Sequence, residues 1–311
     1  MRRTFSVTAI ERSVQRMNNE VRARSERVDI GTGVQLRTIT WGSPETHTQV
    51  PTVLVHGLAS NALLWEGTAV ELAKLGHIVM AVDLRGHGLS DKPDSGYDIG
   101  TVADDLAGLL RLFDGRGFHR PLVVGQSWGG NVVIEFAHGY PDLVTGVCAV
   151  DGGFLDLQQH FPNWDECVVA LRPPVIVGLP ADHVREYMRA EHPDWPDTGI
   201  NGMMANLEHL PDGTIRPWLT LERHLMVLRG LWEHRPTRIF PKLEVPVLFV
   251  PADGPNGVFA ETKREAIEQS LKLVPRSRVE WFHLADHDLH AQQPRRLARV
   301  IHDATTDGFF T

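Results

Sequence analysis

Residues 122–130 read Leu-Val-Val-Gly-Gln-Ser-Trp-Gly-Gly, an apolar β-like run that stops at Gly125-Gln126-Ser127-Trp128-Gly129 and leads at once into a helix-like stretch over 131–138. A strand that bends this sharply into a helix places Ser127 at the apex. The flanking glycines suit a turn in which a Cβ would collide with the strand or the helix. The same position sets the hydroxyl at a helix N-terminus, where unpaired amides and the positive end of the dipole favour a nearby oxyanion. Nucleophilic attack is the chemistry such a serine can do. Its hydroxyl is a weak nucleophile at neutral pH, so an imidazole must take its proton, and a carboxylate on the far ring nitrogen must orient that imidazole and stabilise its charge. The chain offers 16 histidines, so the choice among them needs more than composition.

The elements around this turn follow from periodicity. Residues 34–41 alternate and end in Trp-Gly-Ser-Pro, the pattern of a half-exposed strand entering a turn. Residues 52–55, 78–82 and 122–124 are short, continuous and rich in β-branched residues, as parallel strands covered on both faces must be. Helical patterns over 62–75, 99–113 and 131–140 separate them. This alternation predicts an α/β fold: a mostly parallel twisted sheet built from right-handed crossovers and flanked by helices. Residues 144–150, 245–250 and 278–282 are further strands, and 294–303 closes the chain as a helix. The alternation fails over 152–241, which has proline interruptions, helical patterns near 181–190 and 219–233, and four of the eight tryptophans. That stretch is expected to be a helical cap inserted between the sixth and seventh strands and laid over the carboxyl ends of the strands, where ligands bind in open α/β folds. The core is then 26–151 with 242–311, and residues 1–25 form an arginine-rich N-terminal arm. Met17 offers a second start for translation, which would place residues 1–16 outside the native protein.

Composition narrows the function classes. A chain of 311 residues with 42% hydrophobic content can bury the core of an α/β domain carrying an insertion. A net charge of −8 without a basic stripe excludes nucleic acid as a partner, since phosphate binding needs clustered Lys and Arg. The two cysteines, Cys148 and Cys167, cannot form a disulfide framework and read as small buried apolar side chains, consistent with a reducing, cytoplasmic setting. No run approaches the roughly 18 to 20 apolar residues of a membrane span. The arginines at 2, 3, 12, 16, 22, 24 and 27 lack the apolar core of a secretory signal. A small-molecule substrate is the expected partner, with no membrane and no cofactor; self-association stays open.

Three further segments join Ser127. His56-Gly57-Leu58 follows the first buried strand, Asp83-Leu84-Arg85-Gly86-His87-Gly88-Leu89-Ser90 follows the second, and His287 with Gln293-Pro294 opens the last helix. In this order they resemble the α/β-hydrolase superfamily, in its serine-nucleophile, esterase-like branch with a helical cap, over about residues 26–304 except the cap. The resemblance implies a nucleophile, an acid and a histidine in the chain order Ser, Asp, His. It assigns Ser127 as nucleophile and His287 as base, with His290 as the fallback. Where the family usually has Gly before this histidine, the chain has Asp286, with Asp288 after it. Asp tolerates the backbone angles Gly would supply, and both carboxylates would favour the protonated ring. For the acid, the commonest family position falls on Asp253, although Pro251-Ala252-Asp253-Gly254 departs from the usual Gly-X-X-Asp. Asp151, at the end of the preceding strand, is the alternative, and Asp151-Gly152-Gly153 can equally be a tight turn. Asp83 matches a structural position and is given no catalytic role. The resemblance assigns the oxyanion hole to the backbone amides of Leu58 and Trp128, with His56 bracing the loop. Asp286, His287, Asp288 and His290 can also be read as metal ligands, but no other segment supplies a matching set with ligand spacing, so no metal is expected.

Ser rather than Asp at the turn argues against the haloalkane dehalogenase and epoxide hydrolase branches, which use a carboxylate nucleophile. His56-Gly57-Leu58-Ala59-Ser60 departs from the His-Gly-Gly-Pro-Gly loop of proline iminopeptidases. The reading is therefore a carboxylic ester hydrolase that acts on a small apolar or aromatic substrate through an acyl-serine intermediate. Hydrolysis of a carbon–carbon bond in a ring-cleavage product and opening of a lactone use similar residues and stand as alternatives. A small-molecule receptor that kept the hydrolase fold is the alternative from another class, and the presence of every catalytic residue type speaks against it.

Overall fold

The short β-branched runs occupy the middle of the sheet, as their two-sided hydrophobicity requires. In the computed structural model, which describes residues 21–254 and 260–310, eight strands form one sheet: β1 (Arg24–Asp29), β2 (Gln35–Trp41), β3 (Thr52–Val55), β4 (Val79–Asp83), β5 (Leu122–Gln126), β6 (Gly146–Val150), β9 (Val247–Val250) and β10 (Ser277–Val279). Their order is β1-β2-β4-β3-β5-β6-β9-β10. The pairs from β4 through β10 are parallel, and β1 and β2 add antiparallel pairs at one edge. Every residue of β3, β4, β5, β6 and β9 is buried.

Alternation along these strands divides the core in two. Val53, Val55, Met80, Val82, Val123 and Phe249 face one side. There they meet α2 (Ile99–Phe113), α3 (Trp128–Gly139) and Ile267 of α9 (Ala260–Leu273). Leu54, Val79, Ala81, Leu122, Val124 and Leu248 face the other, against α1 (Glu66–Lys74) and α11 (Pro294–Thr306), which follows the short α10 (Leu289–Gln292). The strand order reverses between β3 and β5, since β4 lies on one side of β3 and β5 on the other. The loops after β3 and β5 therefore flank a topological switch point, where open α/β sheets bind ligands.

The segment between β6 and β9 holds α4 (Leu157–His160), α5 (Trp164–Leu171), α6 (Ala181–Glu191), α7 (Asp197–Met204), a hairpin of β7 (Leu207–His209) with β8 (Ile215–Pro217), and α8 (Leu221–Glu233). It is fastened to the sheet's loops at several points. Asn61 donates to Gly202 O at 2.8 Å, and Arg223 to Pro93 O at 3.1 Å. Gly202 lies so close to the turn after β3 that a Cβ there would sit 2.6 Å from Leu64 Cα. Among the described residues no helix is long and apolar enough to cross a membrane.

Two differences from the sequence expectation concern the strands at the edges of the sheet. Most of the expected arm, residues 1–20, lies outside the described residues; its end, Arg24 and Ser25, begins β1. That strand is nearly all exposed and has no hydrophobic alternation to read. It is held by its ladder to β2, and its charges suit an edge that must not recruit another chain. The expected strand 278–282 stops at Val279, with Phe282 making a separate bridge to Ala252.

Candidate active site

The chain leaves β5 through a backbone conformation that serine rarely adopts. Ser127 has φ 53° and ψ −122°, at a strain of roughly 1–3 kcal/mol that persists only because the surroundings enforce it. Its amide donates to Val150 O at 2.9 Å, and Gly130 N donates back to Ser127 O at 2.9 Å. The glycines are there for close approach: a Cβ on Gly125 would lie 2.2 Å from Gly129 O, and one on Gly129 would lie 2.4 Å from His56 O. The part-exposed Ser127 thus caps α3, with the positive end of that helix beside its hydroxyl.

One strand over, Asp151 is the first residue past β6, beside the end of β5, where Gln126 pairs with Val150. Its side chain is 1% exposed, and Oδ2 lies 2.6 Å from His287 Nδ1, whose side chain is 53% exposed. Oδ1 accepts from Ala252 N at 2.9 Å. Lys263 Nζ reaches both oxygens, at 2.8 and 3.0 Å. Burial alone would raise the Asp151 carboxyl, but the hydrogen bond and charge of His287, with the Lys263 ammonium, prevail and hold it below its ordinary value. For His287, crowding of the ring disfavours the charge; the bond to Asp151, its charge and that of Asp288 outweigh this and the opposing Lys263, so the imidazole titrates above its ordinary value. Gln126 Nε2 donates to His287 O at 3.2 Å, which ties the histidine loop to the residue before Ser127. With Nδ1 occupied by Asp151, Nε2 is the ring nitrogen left to take a proton.

Asp253, the acid favoured on sequence, is engaged elsewhere. Its Oδ2 lies 2.6 Å from His283 Nδ1, and Oδ1 accepts from Leu284 N at 2.7 Å. Leu284 sits at φ 57°, so Asp253 braces the bend that starts the histidine loop rather than the histidine itself. The reason is topological. β9 ends at Val250 and Ala252 already bridges to Phe282, so Asp253 lies three residues past the sheet on a strand farther from β5. Asp151, the alternative, emerges next to the serine. The departure from Gly-X-X-Asp at 251–254 was the available signal.

The loops around the serine are held by buried polar groups. His56 Nδ1 lies 2.7 Å from Gly57 O and Nε2 accepts from Leu84 N at 3.0 Å, so this histidine braces two loops. Asp83 accepts from Ala62 N at 2.7 Å and Leu89 N at 2.9 Å and pairs with Arg37 at 3.2 Å. Trp128 is fully buried and stacks on His87, centroids 5.3 Å apart. Neither the Leu58 nor the Trp128 amide has an acceptor among the described residues, which leaves both N–H groups available to a bound oxygen.

The cluster 286–290 does not converge. Asp286 accepts from Trp195 Nε1 at 3.0 Å and lies 3.6 Å from His192, both in the inserted segment. His287 faces Asp151, and burial pushes the Asp288 carboxyl up against the pull of His287. His290 is fully buried beside Trp65, ring centroids 4.3 Å apart, where burial lowers its pKa to about 3. Two participants escaped sequence reasoning. Lys263 sits on a helix with the pattern of a solvated face, and the Trp195–Asp286 bond joins residues 91 apart; neither leaves a local signal.

With this geometry, the likenesses to known proteins fall into place. The model of the alpha/beta hydrolase family matches residues 52–300, and the chain belongs to that family. A 2-(acetamidomethylene)succinate hydrolase of Mesorhizobium japonicum is 30% identical over 282 residues, 89% of this chain and 93% of that protein. The crystal structure of an E-2-(acetamidomethylene)succinate hydrolase matches with a TM-score of 0.74 at 27% identity, covering 92% of this chain and 100% of the other. A Mycobacterium tuberculosis esterase matches with a TM-score of 0.70 at 25% identity, covering 96% and 97%. Family and relatives together support a hydrolase.

Proposed function

We propose that this protein is a serine hydrolase that cleaves a carboxylic ester of a small apolar or aromatic molecule through an acyl-Ser127 intermediate. The observation that carries the proposal is the 2.6 Å contact between His287 and the buried Asp151, one strand from a serine fixed at the N-terminus of α3. In the first step Ser127 Oγ attacks the ester carbonyl while His287 Nε2 takes its proton, and Asp151 stabilises the imidazolium. The oxyanion of the tetrahedral intermediate is held by the Leu58 and Trp128 amides, each such donor being worth about 10²–10³ in rate. His287 returns its proton to the departing alcohol, leaving the acyl-serine. Water, deprotonated by the same imidazole, then releases the acid and restores the Ser127 hydroxyl.

A second reading, hydrolysis of a carbon–carbon bond in a ring-cleavage product, is fitted about equally well by the same residues, and the name of the Mesorhizobium relative points to a substrate other than a simple ester. A panel of p-nitrophenyl acyl esters separates the two. Turnover of short to medium chains, with a burst of p-nitrophenol matching the enzyme and an acyl mass on Ser127, is the expected result. A wild type that is folded yet releases no p-nitrophenol moves the assignment to the carbon–carbon reading.

A further inference from the structure

We propose that Lys263 is a positioning residue of this site, its ammonium gripping both carboxylate oxygens of Asp151 so that the acid stays aimed at His287 and divides its charge between the two cations. The inference rests on the serine-hydrolase reading above. Lys263 Nζ lies 2.8 Å from Asp151 Oδ1, 3.0 Å from Oδ2 and 2.6 Å from Ala252 O, so three acceptors meet the three ammonium protons. The Ala252 amide donates back to Oδ1 at 2.9 Å. One lysine and one peptide group thus cradle the carboxylate, with Lys263 sharing Oδ2 with the imidazole.

The need for such a cradle follows from the resting state. A serine hydrolase awaits substrate with a neutral imidazole, and a carboxylate that is 1% exposed is unfavourable without a cation or a full set of donors. His287 supplies a full positive charge only while it holds the serine's proton. Lys263 supplies one before that. The charged groups acting on His287 are Asp151, Asp288 and Lys263; His290 in α10 feels the charge of His287, while Asp286 and His192 of the inserted segment pair with each other and act on Asp288. Asp151 and Asp288 favour protonation of the ring; Lys263 opposes it and keeps the base free over a wider range of pH.

The test is the pH dependence of fluorophosphonate labelling at Ser127 in wild type, Lys263→Met and Lys263→Arg, with the His287 imidazole titrated in parallel by NMR. In Lys263→Met the acidic limb and the imidazole titration are both expected to move up by about 0.5–1 pH unit, and Lys263→Arg to restore them. A lysine that only packs α9 would change labelling at every pH without moving the titration. Should Lys263→Met fail to fold, Lys263→Gln, which keeps a donor but not the charge, is expected to shift the titration the same way. An imidazole titration unmoved in a folded charge-deleted variant overturns the inference. A wild type unlabelled at Ser127 whose titration still responds to Lys263 overturns the hydrolase reading instead.

Discussion

Asp151 and Asp253 are both acids at the ends of parallel strands, and their partners separate them. Asp151 spends its oxygens on His287, Lys263 and Ala252 N, whereas Asp253 spends its own on His283 and Leu284 N. Asp151→Asn keeps the volume but presents the wrong hydrogen-bonding face to Nδ1 and removes the charge opposite the imidazolium. Ester turnover is therefore expected to fall by roughly 10³–10⁴. Asp253→Asn removes charge only from a bend, and is expected to lower turnover less than about tenfold while reducing stability by about 1–2 kcal/mol. Steady-state turnover and denaturation of the two variants check this; equal losses of activity would mean that the partners do not define the roles.

At the scale of the elements, the turn after β5 is fixed by backbone contacts. Gly129→Ala would drive a Cβ to 2.4 Å from His56 O and 2.7 Å from Val55 O, forcing β3 and α3 apart. A loss of about 3 kcal/mol or more is expected in thermal or denaturant unfolding. Gly139→Ala, in the last turn of the same helix with open space around it, should be neutral or stabilising by up to about 1 kcal/mol. The same contrast explains what could be read in the chain. The amphipathic stretch 99–113 and the continuous, β-branched run 52–55 carry their environment in their own pattern and match α2 and β3 to the residue. β1 and α9 do not, because one is a polar edge strand held by its ladder and the other presents mostly exposed side chains. The serine turn and the histidine loop were legible because local glycines and chain order mark them. The partner of His287 was read first as Asp253, with Asp151 as the alternative, because the contact that pairs His287 with Asp151 joins residues 136 apart and leaves no local mark.

Across the whole molecule, buried histidines link stability to pH. Burial lowers His77 to about 4 and His290 to about 3, below the value of about 6.5 in an unfolded chain. Both are neutral when folded, so between these values the unfolded state binds more protons. The stability they permit is fully present above pH 6.5 and is lost as pH falls from 6.5 towards 3. Each pKa unit is worth about 1.4 kcal/mol, so the two histidines together can remove several kcal/mol. Denaturant midpoints should fall steadily between pH 7 and pH 4; midpoints that stay constant over that range would show that these rings are solvated in the folded state. The raised His287 contributes with the opposite sign, a stability present below pH 6.5 and lost as pH climbs through its folded value, but its side chain is half exposed and the effect is small.

The account turns on Ser127, His287 and Asp151 acting as one nucleophilic unit, and fluorophosphonate labelling followed by peptide mass mapping tests it most directly. A single adduct on Ser127 is expected in wild type, absent in Ser127→Ala and formed far more slowly in His287→Ala and Asp151→Asn. An adduct on a different serine, or one on Ser127 that forms equally fast without His287, would contradict it.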